Sequence, residues 1–102
     1  MHKLLSFLHL IKRSGTLRLG SEYLSERNVS RIALILISSD ISAQSRAVVT
    51  RFAETHHITA SVVPANILTD LYRGKTVKVL SVTNTQSAKK IANLMKEGDT
   101  YE

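Results

Sequence analysis

A three-layer α/β/α sandwich on a four-stranded mixed sheet is the fold this sequence predicts, and three observations carry that prediction. Residues 32–37 form an unbroken apolar run, Ile-Ala-Leu-Ile-Leu-Ile, which suits a central strand covered by helices on both faces. Three other short β-prone stretches, 17–19, 58–63 and 76–83, alternate with segments of helical periodicity. The connections are short, so strands and helices are interleaved along the chain rather than segregated. The expected order is αβαβαβαβα in a single domain spanning residues 1–102.

Each element has its own signal. Over 2–13, Leu4, Leu8 and Ile11 recur at helical spacing, with Leu5 and Phe7 widening the stripe. Lys12 and Arg13 suit a last turn, and Gly15 supplies the stop. Leu17-Arg18-Leu19 alternates and reads as a very short edge strand. A second helix is expected from Gly20-Ser21 to about Asn28, with Ser21 as its cap and Glu22 and Glu26 toward its positive end. The buried strand over 31–38 and a polar turn at 39–42 follow. The next helix, 43–56, is expected to be capped by Ser42 and to bury Ala47, Val48, Phe52 and Ala53. After the strand at 58–63, Pro64 is placed to open a helix. That helix buries Ile67, Leu68, Leu71 and Tyr72 and stops at Gly74. Beyond the strand at 76–83, Asn84 or Thr85 caps a last helix. There Ala88, Ile91, Ala92 and Met95 face inward, and Lys89, Lys90 and Lys96 face water.

Composition narrows the function. The chain has 102 residues, enough for one core but not for two. It has no cysteine, which removes disulfides, thiolate metal sites and cysteine nucleophiles. His2, His9, His56 and His57 show no metal-ligand spacing, so no metal or other cofactor is expected. The apolar N-terminal segment meets Lys12 and Arg13 after about two turns, too short to span a bilayer, and no small-residue cleavage site follows it. A cytoplasmic protein with no membrane partner is the expectation.

The net charge of +6 is unevenly spread. Residues 1–18 carry +4 and residues 71–96 carry +6, each without an acid, while 19–70 carries −1 and the last six residues −3. If folding brings the two basic ends together, they form the electrostatic footprint of a polyanion binder. Both phenylalanines fall on expected core faces, so no row of exposed rings suggests a single-strand platform. A structured RNA read through backbone and shape fits better.

Catalytic signals are missing. The segment bracketed by Gly15 and Gly20 lacks the lysine of a phosphate-binding P-loop and is not G-x-G-x-x-G. Asp40 follows the buried strand, where doubly wound enzymes place acids. No second titratable group converges on it in the sequence, and turn capping accounts for it. Glu22 and Glu26 are explained by a helix start. The protein is not expected to be an enzyme or to bind a small-molecule substrate.

Three local patterns, in order, carry a family resemblance. The first is Leu8 to Glu22 (LHLIKRSGTLRLGSE), an apolar helix, a basic-small-Gly step, and a second glycine leading into an acid. The second is Leu34 to Ser42 (LILISSDIS), a buried strand with an Asp-containing loop. The third is Val79 to Ile91 (VLSVTNTQSAKKI), a strand and a helix start. Over residues 4–96 the chain resembles the archaeal-type ribosomal proteins that bind RNA kink-turns, and most of all their small bacterial YlxQ-like branch. The resemblance implies a ribosome- or translation-associated RNA-binding protein that inserts one rim of the sandwich into a kinked RNA stem; a monomer is expected. It implies that this rim comprises residues 15–25, 38–42 and 73–76.

On that basis Gly15, Thr16, Gly20, Ser21, Glu22, Ser25, Ser39, Asp40, Gly74 and Thr76 are the candidate rim residues. Lys12, Arg13, Arg18, Arg73 and Lys75 are the candidate phosphate contacts. Two positions depart from the family pattern: Glu26 stands where a basic residue is usual, and Tyr23 where a small polar or acidic one is. Both favour an alternative reading, a protein-interaction module on the same scaffold.

Overall fold

Leu4, Leu5, Leu8 and Ile11 are the buried positions of helix α1 (Lys3–Arg13). The helix ends in a glycine cap of the Schellman type. The Thr16 amide donates to the Ile11 carbonyl (3.3 Å) and the Gly15 amide to the Lys12 carbonyl (3.3 Å), with Gly15 at φ +77°. The structure, a computed structural model, describes residues 3–96. Tyr101, His2 and the three C-terminal acids lie outside them. After α1 come β1 (Leu17–Leu19), two single 3-10 turns (Ser21–Tyr23 and Val29–Arg31), β2 (Leu34–Ser38), α2 (Ala43–Thr55), β3 (Ala60–Val63), α3 (Ala65–Leu71), β4 (Val79–Val82) and α4 (Thr85–Lys96).

The sheet order is β1-β4-β2-β3. Strand β4 runs antiparallel to both its neighbours, whereas β2 and β3 are parallel, so the sheet is mixed. All five residues of β2 are buried. Leu34 and Leu36 join Leu80, Val82 and residues of α1, α3 and α4 in one core, while Ile35, Ile37 and Val79 meet α2 on the other face. This is the expected three-layer α/β/α arrangement. No helix among the described residues is long and apolar enough to cross a membrane.

The caps at Ser42 and Asn84 are formed. Ser42 Oγ accepts from the Ser45 amide (3.2 Å), and Asn84 Oδ1 accepts from the Ser87 amide (2.8 Å). Lys12 bridges two elements: its Nζ donates to the Leu71 carbonyl at the end of α3 (2.8 Å) and lies 4.4 Å from the centre of the Tyr72 ring.

Several expected details are corrected. Residues 20–28 are not a helix, and Ser21 caps nothing through its side chain. Local bonding by polar side chains competes with helix formation there: Asn28 Nδ2 donates to the Tyr23 carbonyl (3.1 Å) and to Ser25 Oγ (3.2 Å). Four α-helices are therefore present among the described residues, where five were expected. Helix α2 is rotated from its expected phase. It buries Val49 and Ala53, leaving Ala47 exposed and Val48 60% exposed. Helix α4 buries Ile91 and Leu94, while Ala92 faces water. Helix α3 ends at Leu71, short of Gly74, and β3 and β4 are shorter than the β-prone stretches containing them.

Candidate functional site

The antiparallel pairing of β2 with β4 sets the end of one beside the start of the other, with Ile37 opposite Val79. The Gly20 amide donates to the Val79 carbonyl (2.9 Å), which brings the segment after β1 to the same end of the sheet. Three distant stretches thus line one groove of about 710 Å³. Gly20 and Ser21 come from the first, Asp40 and Ser42 from the second, and Thr76 and Lys78 from the third.

Gly20 shapes the first wall. Its φ of +84° and ψ of 163° fall in a region that is essentially glycine's alone. A Cβ there would meet nothing closer than the Glu22 amide nitrogen at 4.0 Å, so the demand is on backbone conformation and not on space.

Asp40 holds the second wall to the third. Its Oδ1 accepts from the buried Ser38 hydroxyl, and its Oδ2 pairs with Lys78 Nζ at 2.7 Å. This is the one side-chain ion pair within 4 Å among the described residues. The hydrogen bond from Lys78, then that from Ser38, holds the Asp40 carboxyl below its ordinary value of 3.8. A carboxylate whose pKa is depressed by folding stabilises the fold above its unfolded pKa, and the contribution is lost as pH falls through the lower folded value. The pair is solvent-exposed, so the effect is small. Asp40→Asn is expected to flatten the dependence of Tm on pH below about pH 4, measured by thermal melts across an acid series.

The loop before α2 also braces α3. Ser39 Oγ accepts from the Ala65 amide (3.0 Å), capping a helix whose preceding residue, Pro64, has no capping side chain. Ser39 is therefore engaged in structure as well as lying beside the groove.

The candidate residues do not all converge. Gly20, Ser21, Asp40 and Thr76 line the groove together. Gly15 and Thr16 sit at the other end of β1, where the Thr16 carbonyl accepts from the Thr83 amide and hydroxyl (both 2.9 Å). The two glycines thus mark opposite ends of one strand and not one lip. Arg18 lines a separate concavity with Tyr23 and Arg31. Lys12 and Arg73 share a depression with His9 and Asp70 beneath α1 and α3, and Arg13 lines another on α1. Glu22 is exposed beside Ser21, and Ser25 is half-buried as an acceptor for Asn28. Gly74, at φ +84°, and Lys75 are exposed in the loop leading to Thr76.

Lys78 was not among the candidates. Its signal in the sequence is a lone cation within the β-prone stretch 76–83, to be matched with Asp40, the single acid between residues 27 and 53. No group of three or more His, Asp or Glu side chains that could hold a metal ion occurs among the described residues.

No family model matches the chain, and no curated protein sequence matches it. Among solved structures it is similar to a protein of unknown function from Bacillus halodurans. The TM-score is 0.83 at 23% identity, over 94% of this chain and 99% of that chain. That likeness shows the fold.

Proposed function

We propose that the protein binds structured RNA of the kink-turn kind along the Gly20–Asp40–Thr76 groove, as a cytoplasmic, ribosome- or translation-associated factor. One observation carries the reading: three stretches centred near residues 20, 40 and 76, which the family resemblance assigns to one RNA-binding rim, line a single concavity at one end of the sheet. Lys78 lines the groove and Lys75 is exposed in the loop next to Thr76, so these two supply its phosphate contacts. Lys12, Arg13, Arg18 and Arg73 line other concavities, and the two basic ends of the chain do not meet here. Phosphate contacts fix position without reading sequence, so selectivity comes from the kinked shape the groove accepts.

Fluorescence anisotropy with a kinked stem and an uninterrupted duplex of the same length tests this. The kinked stem is expected to bind more tightly, with log affinity falling linearly against log salt. Lys75→Ala should make that slope shallower by about one unit and leave the melting temperature unchanged. Equal affinity for the two RNAs, or an unaltered slope in the variant, overturns the assignment. A second reading, a protein-docking groove, is favoured by the exposed Val48 on the wall beside Ile41. It predicts no RNA binding even at low salt.

A further inference from the structure

At the far end of β4 from the groove lies a second, smaller concavity of about 320 Å³. Arg18, Tyr23, Ser30, Arg31, Thr83 and Thr85 line it, and no carboxylate does. Neither guanidinium has a hydrogen-bond or ion-pair partner among the described residues. Two cations sharing one hollow without an anion repel each other, and a bound anion relieves that repulsion. Arginine's planar fork matches phosphate oxygens in pairs, which a lysine cannot do.

The remaining groups suit the same ligand. Tyr23, Ser30 and Thr85, each bearing a hydroxyl, are among the lining residues. Helix α4 begins at Thr85, and of its first amides Asn84 caps that of Ser87. The amides of Thr85 and Gln86 remain at the positive end of a twelve-residue helix. The volume suits one nucleotide rather than a length of chain.

We propose that this concavity binds a terminal phosphate, the phosphomonoester of a nucleotide, between Arg18 and Arg31. Its source is a free nucleotide or the 5′-phosphorylated end of an RNA. The site is separate from the groove, so it stands or falls independently of the kink-turn reading.

The test uses the full chain, isotope-labelled, with amide shifts followed by NMR. Adenosine 5′-monophosphate is expected to give saturable shifts at Arg18, Arg31, Thr85 and Gln86, and adenosine to bind at least about tenfold more weakly. Arg18→Ala and Arg31→Ala, both surface changes, should each weaken the monophosphate about tenfold or more. Lys96→Ala, the same change in net charge elsewhere, should not. Comparing 5′-phosphorylated with 5′-hydroxyl RNA tetranucleotides separates the sources. A phosphorylated tetranucleotide binding well above the monophosphate marks an RNA end, and comparable affinities mark a free nucleotide. The proposal is overturned if neither the monophosphate nor the phosphorylated RNA gives saturable shifts at about 10 mM. It is equally overturned if adenosine binds as well as its phosphate, or if Lys96→Ala weakens binding as much as Arg18→Ala.

Discussion

Truncation of Leu36 to alanine is expected to destabilise the protein by about 3–5 kcal/mol. Leu36 is fully buried in β2, with Leu80 and Ser61 as its partners in the neighbouring strands. It packs into the larger core, where α1, α3 and α4 converge on the sheet. A central strand has little freedom to collapse around the cavity left behind, which places the cost at the upper end for such changes. A domain of this size has a net stability of only about 5–15 kcal/mol, so the variant should unfold at far lower urea with an unchanged m-value. Leu10→Ala serves as the contrast. Leu10 is 64% exposed on α1, and its removal should shift stability by no more than about 0.5 kcal/mol. Comparable losses at the two positions would mean that the core is not where the packing puts it.

Lys78→Glu is expected to abolish the proposed RNA binding, with a loss on the order of a hundredfold at about 50 mM salt. The substitution removes a cation from the groove and sets a second carboxylate beside Asp40, so two acids confront the polyanion. Lys78 and Asp40 are both well exposed, at 39% and 51% of their side chains, so the variant should remain folded. Asp40→Asn is the converse. It releases Lys78 and deletes the groove's acid, and it should tighten RNA binding while a partner relying on Asp40 for a basic contact would be lost. Anisotropy titrations of the two variants decide the matter. A folded Lys78→Glu protein that binds the kinked stem as the parent does would place the RNA elsewhere.

What the sequence disclosed followed from strong local signals. The run from Ile32 to Ile37 is apolar at every position, and only a strand covered twice accommodates that in a small domain. Pro64, Asn84 and Gly15 announced their boundaries through their own backbone and capping chemistry.

The misreadings have physical causes. Ala47, Val48 and Val49 are consecutive and together wrap much of a helix's circumference, so periodicity alone does not choose which of them faces inward; packing chose Val49. Between Gly20 and Arg31, the acids at Glu22 and Glu26 suggested a helix start. The segment instead carries Asn28, whose side chain donates to the Tyr23 carbonyl and to Ser25 Oγ and so competes with helical bonding. The Lys78–Asp40 pair spans 38 positions and depends on the register of β4 against β2, which no local pattern contains. For the same reason the separation of Gly15 from Gly20 was hidden. Five positions apart in the chain, they straddle a strand whose direction only its neighbour fixes.

Among the described residues, the strand that is fourth in chain order lies in the middle of the sheet. Strands β1 and β2 do not bond to each other; each is held by β4, and the Thr83 hydroxyl reaches back 67 positions to Thr16. A nascent chain halted before residue 79 therefore carries two unsatisfied strand edges facing an empty slot, the configuration most exposed to misassociation. Emergence of residues 76–82 closes the slot and completes the groove in the same event, so a product truncated before residue 76 should bring neither the fold nor the binding surface with it.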